Sequence, residues 1–418
     1  MRRYAVVGTG HRAELYTRGI TLAHPDVAEL VALADTNPLR MAAHNARLIE
    51  SGARPVPAYR VEDFVAMLDK ERVDVVIVTT VDRYHDEYVV AALDAGRDVL
   101  TEKPMTIDGA RCRRILDAVE RTGRRVGVTF NYRYNPVHEA VKRAIREIGT
   151  VGSVHFEWLL DVQHGADYFR RWHRDKANSG GLLVHKASHH FDLVNWWLAD
   201  TPSRVHAFGT LFFYGDEAGH RHGYARSYER AHGSPEAADD PFALSLVDDP
   251  RLAQLYLDAE QADGYHRDQN VFGPGVTIED DMAVLVRYAG GATMTYHLTA
   301  YSPWEGYRVM FNGSRGRLEL EVVENDRVGP GSEASARLTV RPFWAPPRDI
   351  SLGPAVREGH GGADDRMLAQ LLDPGAPPDE LGRHATEQDG ARALLIGLAA
   401  NESIATGQPV DITRVLSA

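Results

Sequence analysis

Three short runs of this chain hold residue types that could do chemistry together. Thr101-Glu102-Lys103-Pro104 carries a lysine whose ammonium can hold a hydroxyl and stabilise the alkoxide that forms as a hydride leaves the adjoining carbon. The proline fixes the backbone there and removes one amide donor. Farther on, Gly180-Gly181-Leu182-Leu183-Val184-His185-Lys186-Ala187-Ser188-His189-His190-Phe191-Asp192 gathers three histidines and a lysine within six residues. Histidine suits proton transfer near neutral pH. His185 and His189 stand i and i+4, so a continuous helix would put them on one face, with Asp192 one turn on to orient His189. His185 could relay protons, hold a second hydroxyl or bind a metal with His189. The surrounding sequence is not His-Glu-x-x-His and offers no third ligand, so no metal is assigned. Near the N-terminus, Gly8-Thr9-Gly10-His11-Arg12-Ala13 follows an apolar strand and reads G-x-G-x-x-A. Gly8 allows a tight turn, Gly10 lets a pyrophosphate approach the backbone, and Ala13 lets the next helix pack close. The helix start supplies free N–H groups and partial positive charge.

The elements that must position these residues alternate through the first third of the chain. Strands are expected at Tyr4–Val7, Glu29–Ala34, near Val56–Ala58, and at Val73–Thr80, Asp98–Thr101 and Arg125–Asn131. Helices are expected at Arg12–Ala23, Pro38–Glu50, Val61–Lys70, His85–Ala95 and Ile107–Thr122. Val73–Thr80 is a β-branched run suited to a strand buried on both faces. This alternation predicts a doubly wound parallel sheet, with ligands outside the carboxyl ends of its strands. The second strand ends in Asp35, placed to hold the adenosine ribose hydroxyls. Beyond Asn131 the pattern changes to a helix from Pro136 to Ile148, a long helix near Leu182–Leu198, and strands at 152–160, 204–213, 282–288, 292–301, 307–312, 316–323 and 336–342. This reads as an α+β domain with a large, mostly antiparallel sheet. The expected division is 1–131 as a Rossmann domain and 132–418 as a substrate-binding and oligomerisation domain. Residues of about 215–275 form a long insertion, expected to be functional or interfacial. Gly361–Leu372 and His384–Thr406 read as helices, the C-terminal one expected to pack back on the first domain.

Composition narrows the classes. With 47 Lys+Arg against 59 Asp+Glu, the formal net charge of -12 disfavours a nucleic-acid partner. No apolar run is long enough to span a bilayer. Arg2 and Arg3 lead into the first strand without an apolar signal segment. The single cysteine, Cys112, cannot form an intrachain disulfide. A cytoplasmic protein is expected.

Taken together, Gly8-Thr9-Gly10, Asp35, Glu102-Lys103-Pro104 and the Gly180–Asp192 segment resemble the glucose–fructose oxidoreductase/inositol dehydrogenase/MocA (Gfo/Idh/MocA) family over essentially the whole chain. The resemblance implies that Lys103 and His189, which matches the final His of the family's D-x-G-x-H-x-x-D helix, act on a substrate hydroxyl. The first Asp of that pattern falls on His185 here and its Gly on Ala187, which leaves the role of His185 open. Asn131-Tyr132-Arg133-Tyr134-Asn135 matches a family segment that lines the cleft between domains. Glu358-Gly359-His360-Gly361-Gly362-Ala363-Asp364 resembles a Gly-His-Gly-Gly-x-Asp segment of sugar-acting relatives.

The expected catalytic residues are Lys103, His189 and His185. Those expected to hold the cofactor are Gly8, Thr9, Gly10, His11, Arg12, Asp35, Arg40, Thr79, Thr80, His85, Glu102 and Lys103. Substrate is assigned to Lys103, Asn131, Arg133, Tyr168, Trp172, His173, Lys186 and His189. Asp161, His164, Arg170 and Lys176, in the loop before the His-rich helix, and Tyr265, Arg267, Asp268 and Glu279, at the end of the insertion, are further candidates. Asp35 favours NAD because a carboxylate repels a 2′-phosphate; Arg40 could cover the adenine face or leave NADP possible. The expected function is NAD-dependent hydride transfer to or from a CH–OH; the residues require only a small, polar, hydroxylated substrate, and the resemblance implies a sugar, inositol or related polyol. The alternatives are an NAD-retaining glycoside-cleaving enzyme, acting by transient oxidation and elimination, and a non-catalytic NAD sensor. A homodimer or homotetramer is expected through the exposed face of the antiparallel sheet.

Overall fold

The computed structural model describes residues 1–352 and 359–416. The described residues form two sheets. β1 (Arg2–Val7), β2 (Ala28–Asp35), β3 (Ala58–Arg60), β4 (Val75–Val78), β5 (Asp98–Thr101) and β6 (Val126–Val128) are all parallel, in the order β6-β5-β4-β1-β2-β3. All four residues of β4 are buried, as a strand covered on both faces requires. β1, β2, β4 and β5 end at one edge of the sheet, which brings Gly8, Asp35, Thr79 and Lys103 together. The third strand lies two residues later than its sequence expectation. The helix after β1 runs only from Ala13 to Arg18, then widens into a π-helical turn over Gly19–Ala23.

Among the described residues the second sheet has nine strands. β7 (Val151–Asp161), β8 (Pro202–Thr210), β9 (Asp281–Tyr288), β10 (Thr293–Ser302), β11 (Glu305–Gly313), β12 (Gly316–Asn325), β13 (Ser335–Pro342) and β14 (Arg348–Ile350) stand in the order β14-β13-β12-β11-β7-β10-β9-β8. All their pairs are antiparallel except β10 with β7. Side chains alternate strictly. Along β10, Met294, Tyr296, Leu298 and Ala300 are buried, whereas Thr293 and Thr295 face outward. The inward face receives the helices Ser188–Leu198 and Glu387–Thr406. Two late segments complete the sheets: β15 (Ala385–Thr386) pairs antiparallel with β6, and β16 (Val410–Asp411) with β8.

Two local expectations are corrected. The stretch Leu182–Leu198 is two helices, Leu182–His185 and Ser188–Leu198, interrupted at Lys186-Ala187. His185 and His189 therefore do not share one continuous helical face. The segment expected to be a loop before them contains a helix, Val162–Arg170, capped by Asp161, whose carboxylate accepts from Gln163 and His164 amides. Among the described residues no helix is long and apolar enough to cross a membrane. Glu358 and the His360 side chain lie outside the described residues.

Candidate functional site

A cleft of about 1430 Å³ runs from the carboxyl edge of the parallel sheet to the second sheet. At one end the Gly-rich turn and Asp35 meet. Gly8 has φ +87°, and a Cβ there would lie 2.6 Å from the Thr80 amide nitrogen, so only glycine fits between β1 and β4. Asp35 is held at the tip of β2: its carboxylate accepts from the amide and hydroxyl of Thr9 and, at 2.8 Å, from the amide of Asn37. Asn37 caps the helix Pro38–Glu50, which carries Arg40. His11 and Arg12 open the first helix. Arg12 is ion-paired to Glu102 at 2.6 Å and to Asp364 at 3.1 Å, and Asp364 also accepts from Asn131. Burial disfavours charge on Glu102, yet the Arg12 guanidinium and the Tyr16 hydroxyl hold its carboxyl below the usual range. The His85 ring is anchored between the carbonyls of Pro104 (2.8 Å) and Thr80 (3.1 Å), and burial lowers its pKa. His85 thereby ties the Lys103-Pro104 turn to the end of β4.

Midway, Lys103 reaches from the end of β5 toward the broken helix, and its Nζ donates to the His185 carbonyl at 3.0 Å. Burial pulls its ammonium down to about 8, against the carboxylates of Asp82 and Glu102. His185 Nδ1 lies 2.5 Å from Asp82 Oδ2. Burial, reinforced by Lys103, Arg171 and Lys186, holds the His185 pKa well below 6.5. Burial also raises the Asp82 carboxyl well above its ordinary range, so the pair holds its proton between Asp82 Oδ2 and His185 Nδ1, and that bond orients the ring. His189 stacks flat on Tyr132, centroids 4.2 Å apart. The Lys186 ammonium lies over the rings of Trp158 (4.8 Å) and Tyr132 (5.9 Å). Burial disfavours its charge, but Tyr132, Tyr168 and Glu305 around it raise its pKa above the ordinary value. Tyr168, Trp172 and His173 form an aromatic wall beside His185: the Trp172 and His173 rings stack at 3.6 Å, and His173 meets His185 edge-on at 4.2 Å. The result is a cleft with a phosphate-binding turn at one end and lysine, imidazole and aromatic faces at the other.

Residues 2–130 match the family described as "Oxidoreductase family, NAD-binding Rossmann fold", and residues 142–412 match "Oxidoreductase family, C-terminal alpha/beta domain", the Gfo/Idh/MocA pair. The chain belongs to the Gfo/Idh/MocA oxidoreductase family. It is 34% identical over 408 residues to a protein of Bacillus subtilis (strain 168) named "Putative oxidoreductase YteT", covering 93% of this chain and 92% of that one. It is 29% identical to an inositol 2-dehydrogenase of Rubrobacter xylanophilus over 210 residues, 49% of this chain and 54% of that one. In fold it matches an oxidoreductase from Agrobacterium radiobacter solved with NAD+, L-tartaric acid and magnesium, with a TM-score of 0.63, 18% identity and 99% of each chain covered. As a Gfo/Idh/MocA oxidoreductase this protein binds NAD, and the cradle fits it: a tight turn at Gly8 that only glycine allows, a glycine at Gly10 whose absent Cβ would meet Tyr256 OH at 3.5 Å, and a carboxylate, Asp35, at the tip of β2.

Of the sequence-derived residues, Gly8, Gly10, His11, Arg12, Asp35, Arg40, Thr79, Thr80, His85, Glu102 and Lys103 line this cleft with Asn131, Tyr168, Trp172, His173, His185, Lys186 and His189. Thr9 lies beneath it, engaged with Asp35. Arg133 is corrected. It is buried and forms a two-point ion pair with Asp192 (2.8 and 2.6 Å), behind the cleft wall. Asp192 is therefore the partner of Arg133, not of His189. The further loop candidates divide. His164, Tyr265 and Arg267 line the cleft, whereas Arg170 donates to the Phe242 carbonyl, Lys176 pairs with Glu279, and Asp268 pairs with Arg230. His190 turns into the core, bonded to Tyr296 and stacked on Trp158. Sequence reasoning missed Asp82, Asp167, Arg171, Tyr256, Asp263 and Glu324, all of which line the cleft. Asp82 follows the end of β4 by four residues and could have been sought there; the others carry no local signal. Among the described residues no group of three or more His, Cys, Asp or Glu could hold a metal.

Proposed function

We propose that this protein is an NAD-dependent dehydrogenase of a sugar, inositol or related polyol. In this reading residues 1–131 hold the dinucleotide and residues 132–418 shape the substrate site. The observation that carries it is the opening of Lys103, His185 and His189 into the same cleft as the dinucleotide turn. NAD, when bound, supplies the hydride acceptor or donor. Lys103, with a pKa of about 8, takes the hydroxyl proton in oxidation and returns it in reduction. His189, fixed by its stack on Tyr132, holds the same hydroxyl. His185, oriented by Asp82, holds a neighbouring hydroxyl or passes the proton outward. Tyr168, Trp172 and His173 offer ring faces to the apolar side of a pyranose or cyclitol, and Lys186 and Asn131 offer donors to its hydroxyls.

The test is a panel of sugars and inositols read by NADH absorbance, with the pair Lys103→Ala and His189→Ala. Each variant is expected to keep NAD affinity and to lose about 10²–10⁴-fold in turnover. Activity that survives in both would remove these residues from the chemistry.

One observation favours a second reading, an NAD-retaining enzyme that cleaves glycosides by transient oxidation and elimination. The insertion crosses onto the nucleotide domain: Tyr256 OH accepts from the His11 amide at 2.9 Å, and Arg47 donates to the Arg251 carbonyl. A dinucleotide beneath that cover would exchange slowly. Aglycone released with no net NADH selects this reading; one NADH per product selects the dehydrogenase.

We also propose a homodimer or homotetramer through the outward face of the second sheet, where Phe208 (69% exposed) and Leu285 (54%) stand on neighbouring strands. Sedimentation velocity reads it directly.

A further inference from the structure

The adenosine end of the cleft is built from both halves of the chain. Arg40 sits in the first turn of the helix after β2, five residues past Asp35, where an arginine can accommodate the 2′-phosphate of NADP. Its guanidinium is already engaged by the insertion. Nη1 is ion-paired to Asp263 at 2.7 Å, Nε donates to the Leu255 carbonyl at 3.0 Å, and the rings of Tyr256 and Tyr265 lie 5.4 and 5.7 Å away. Asp263 is itself fixed, since Asn37 Nδ2 donates to it at 3.0 Å and to the Ala259 carbonyl at 3.0 Å. Asn37 also accepts from the Arg40 and Leu39 amides, so one residue registers the insertion against the helix that bears Arg40. Asp35, Arg40, Asp263, Tyr256 and Tyr265 all line the cleft.

We propose that Asp263 is a specificity-determining residue for the dinucleotide: by occupying Arg40 it sets NAD above NADP. The proposal rests only on the dinucleotide lying in this cleft. Asp263 then neutralises the guanidinium, while the Asp35 carboxylate stands at the tip of β2 in the same cleft. A 2′-phosphate would bring about −1.5 to −2 more at pH 7. Arg40 could meet that phosphate bidentately only by giving up Asp263. The ribose 2′-hydroxyl of NAD is neutral and makes no such demand. Nη2 of Arg40 is buried and has no hydrogen-bond partner among the described residues, so the guanidinium is held by Asp263 and the Leu255 carbonyl alone. The insertion thereby acts on cofactor choice from a segment more than two hundred residues away from the fingerprint.

The test titrates the purified full chain with NADH and with NADPH, following nucleotide fluorescence, so that it needs no substrate. Asp263→Asn keeps the shape and removes the charge. It is expected to lower the NADH-over-NADPH preference at least tenfold by tightening NADPH, whereas Asp263→Glu keeps the preference. The double variant Asp263→Asn/Arg40→Ala is expected to lose the gain, because the gain acts through Arg40. An unchanged preference in an Asp263→Asn protein that still saturates with NADH overturns the proposal. So does an Arg40→Ala single variant that weakens NADPH tenfold, because Arg40 would then already read the phosphate with Asp263 in place; that measurement decides even if Asp263→Asn fails to fold. A wild-type chain that binds neither nucleotide would instead remove the premise that the dinucleotide occupies this cleft.

Discussion

The pH dependence of substrate oxidation follows from the environment of Lys103. An ordinary lysine, near 10.5, is neutral in about one molecule in three thousand at pH 7. With its pKa drawn to about 8 by burial, Lys103 is neutral in roughly one molecule in eleven at that pH, about 300-fold more often. A proton acceptor must be neutral, so log kcat/KM for oxidation should rise with unit slope below pH 8 and level off above it. In the reduction direction the ammonium is the donor, and the rate should fall above the same pH. The structure also fixes the sign of a second perturbation. Asp82 stabilises the ammonium to the extent that it is ionised, and burial raises its own pKa, so Asp82→Asn should leave the inflection in place or move it toward acid, never toward alkali. The assay is initial-rate kinetics from pH 6 to 10 on both proteins, with NAD saturating. A flat wild-type profile, or an inflection that moves toward alkali in Asp82→Asn, would refute the assignment of the proton to Lys103.

Asp192→Asn removes the nearer of the two carboxylates that pair with the buried Arg133, leaving Asp389 at 3.5 Å, so it should cost about 1–3 kcal/mol of stability and leave kcat of the folded protein within a few-fold; denaturant unfolding beside activity separates this from a role through His189. Gly397→Ala in the helix Glu387–Thr406 places a methyl group 2.4 Å from the Leu183 carbonyl, so it should destabilise by about 1–3 kcal/mol and lower kcat more than NAD affinity by displacing the turn that bears His185; calorimetry and NADH titration would show both effects.

Much of the fold was legible because its signals are local. β4 reads as a strand from its β-branched run, the Gly-rich turn from its glycines, and the second sheet from the succession of strands with few helices between them. The dinucleotide end of the site was legible for the same reason: Gly8, Asp35, Thr79 and Lys103 lie at or just beyond the ends of parallel strands, where ligands gather in such sheets. The unread partners come from far along the chain. Arg133 meets Asp192 across 59 residues, His185 meets Asp82 across 103, and Asn37 meets Asp263 across 226. Nothing in the composition of the insertion marks Asp263 as the partner of Arg40; only the folded path of the chain brings them within 2.7 Å.

The break between His185 and His189 shows why periodicity alone misplaced one residue. A continuous helix would carry both imidazoles on one face and keep the His185 carbonyl within its own ladder. Instead the chain turns at Lys186-Ala187. That turn sends Lys186 onto the Trp158 ring and leaves the His185 carbonyl to accept from Lys103 Nζ at 3.0 Å and from Ser188 Oγ at 3.2 Å. His185 then faces Asp82 beyond the end of β4, and His189 faces Tyr132, four residues beyond the end of β6. Two imidazoles four residues apart thus reach one cleft from different supports. Helical spacing would suggest a shared ligand for them; the break separates a ring oriented by a carboxylate from one held by an aromatic face, which suits two distinct hydroxyls of one ring better than a common metal ion.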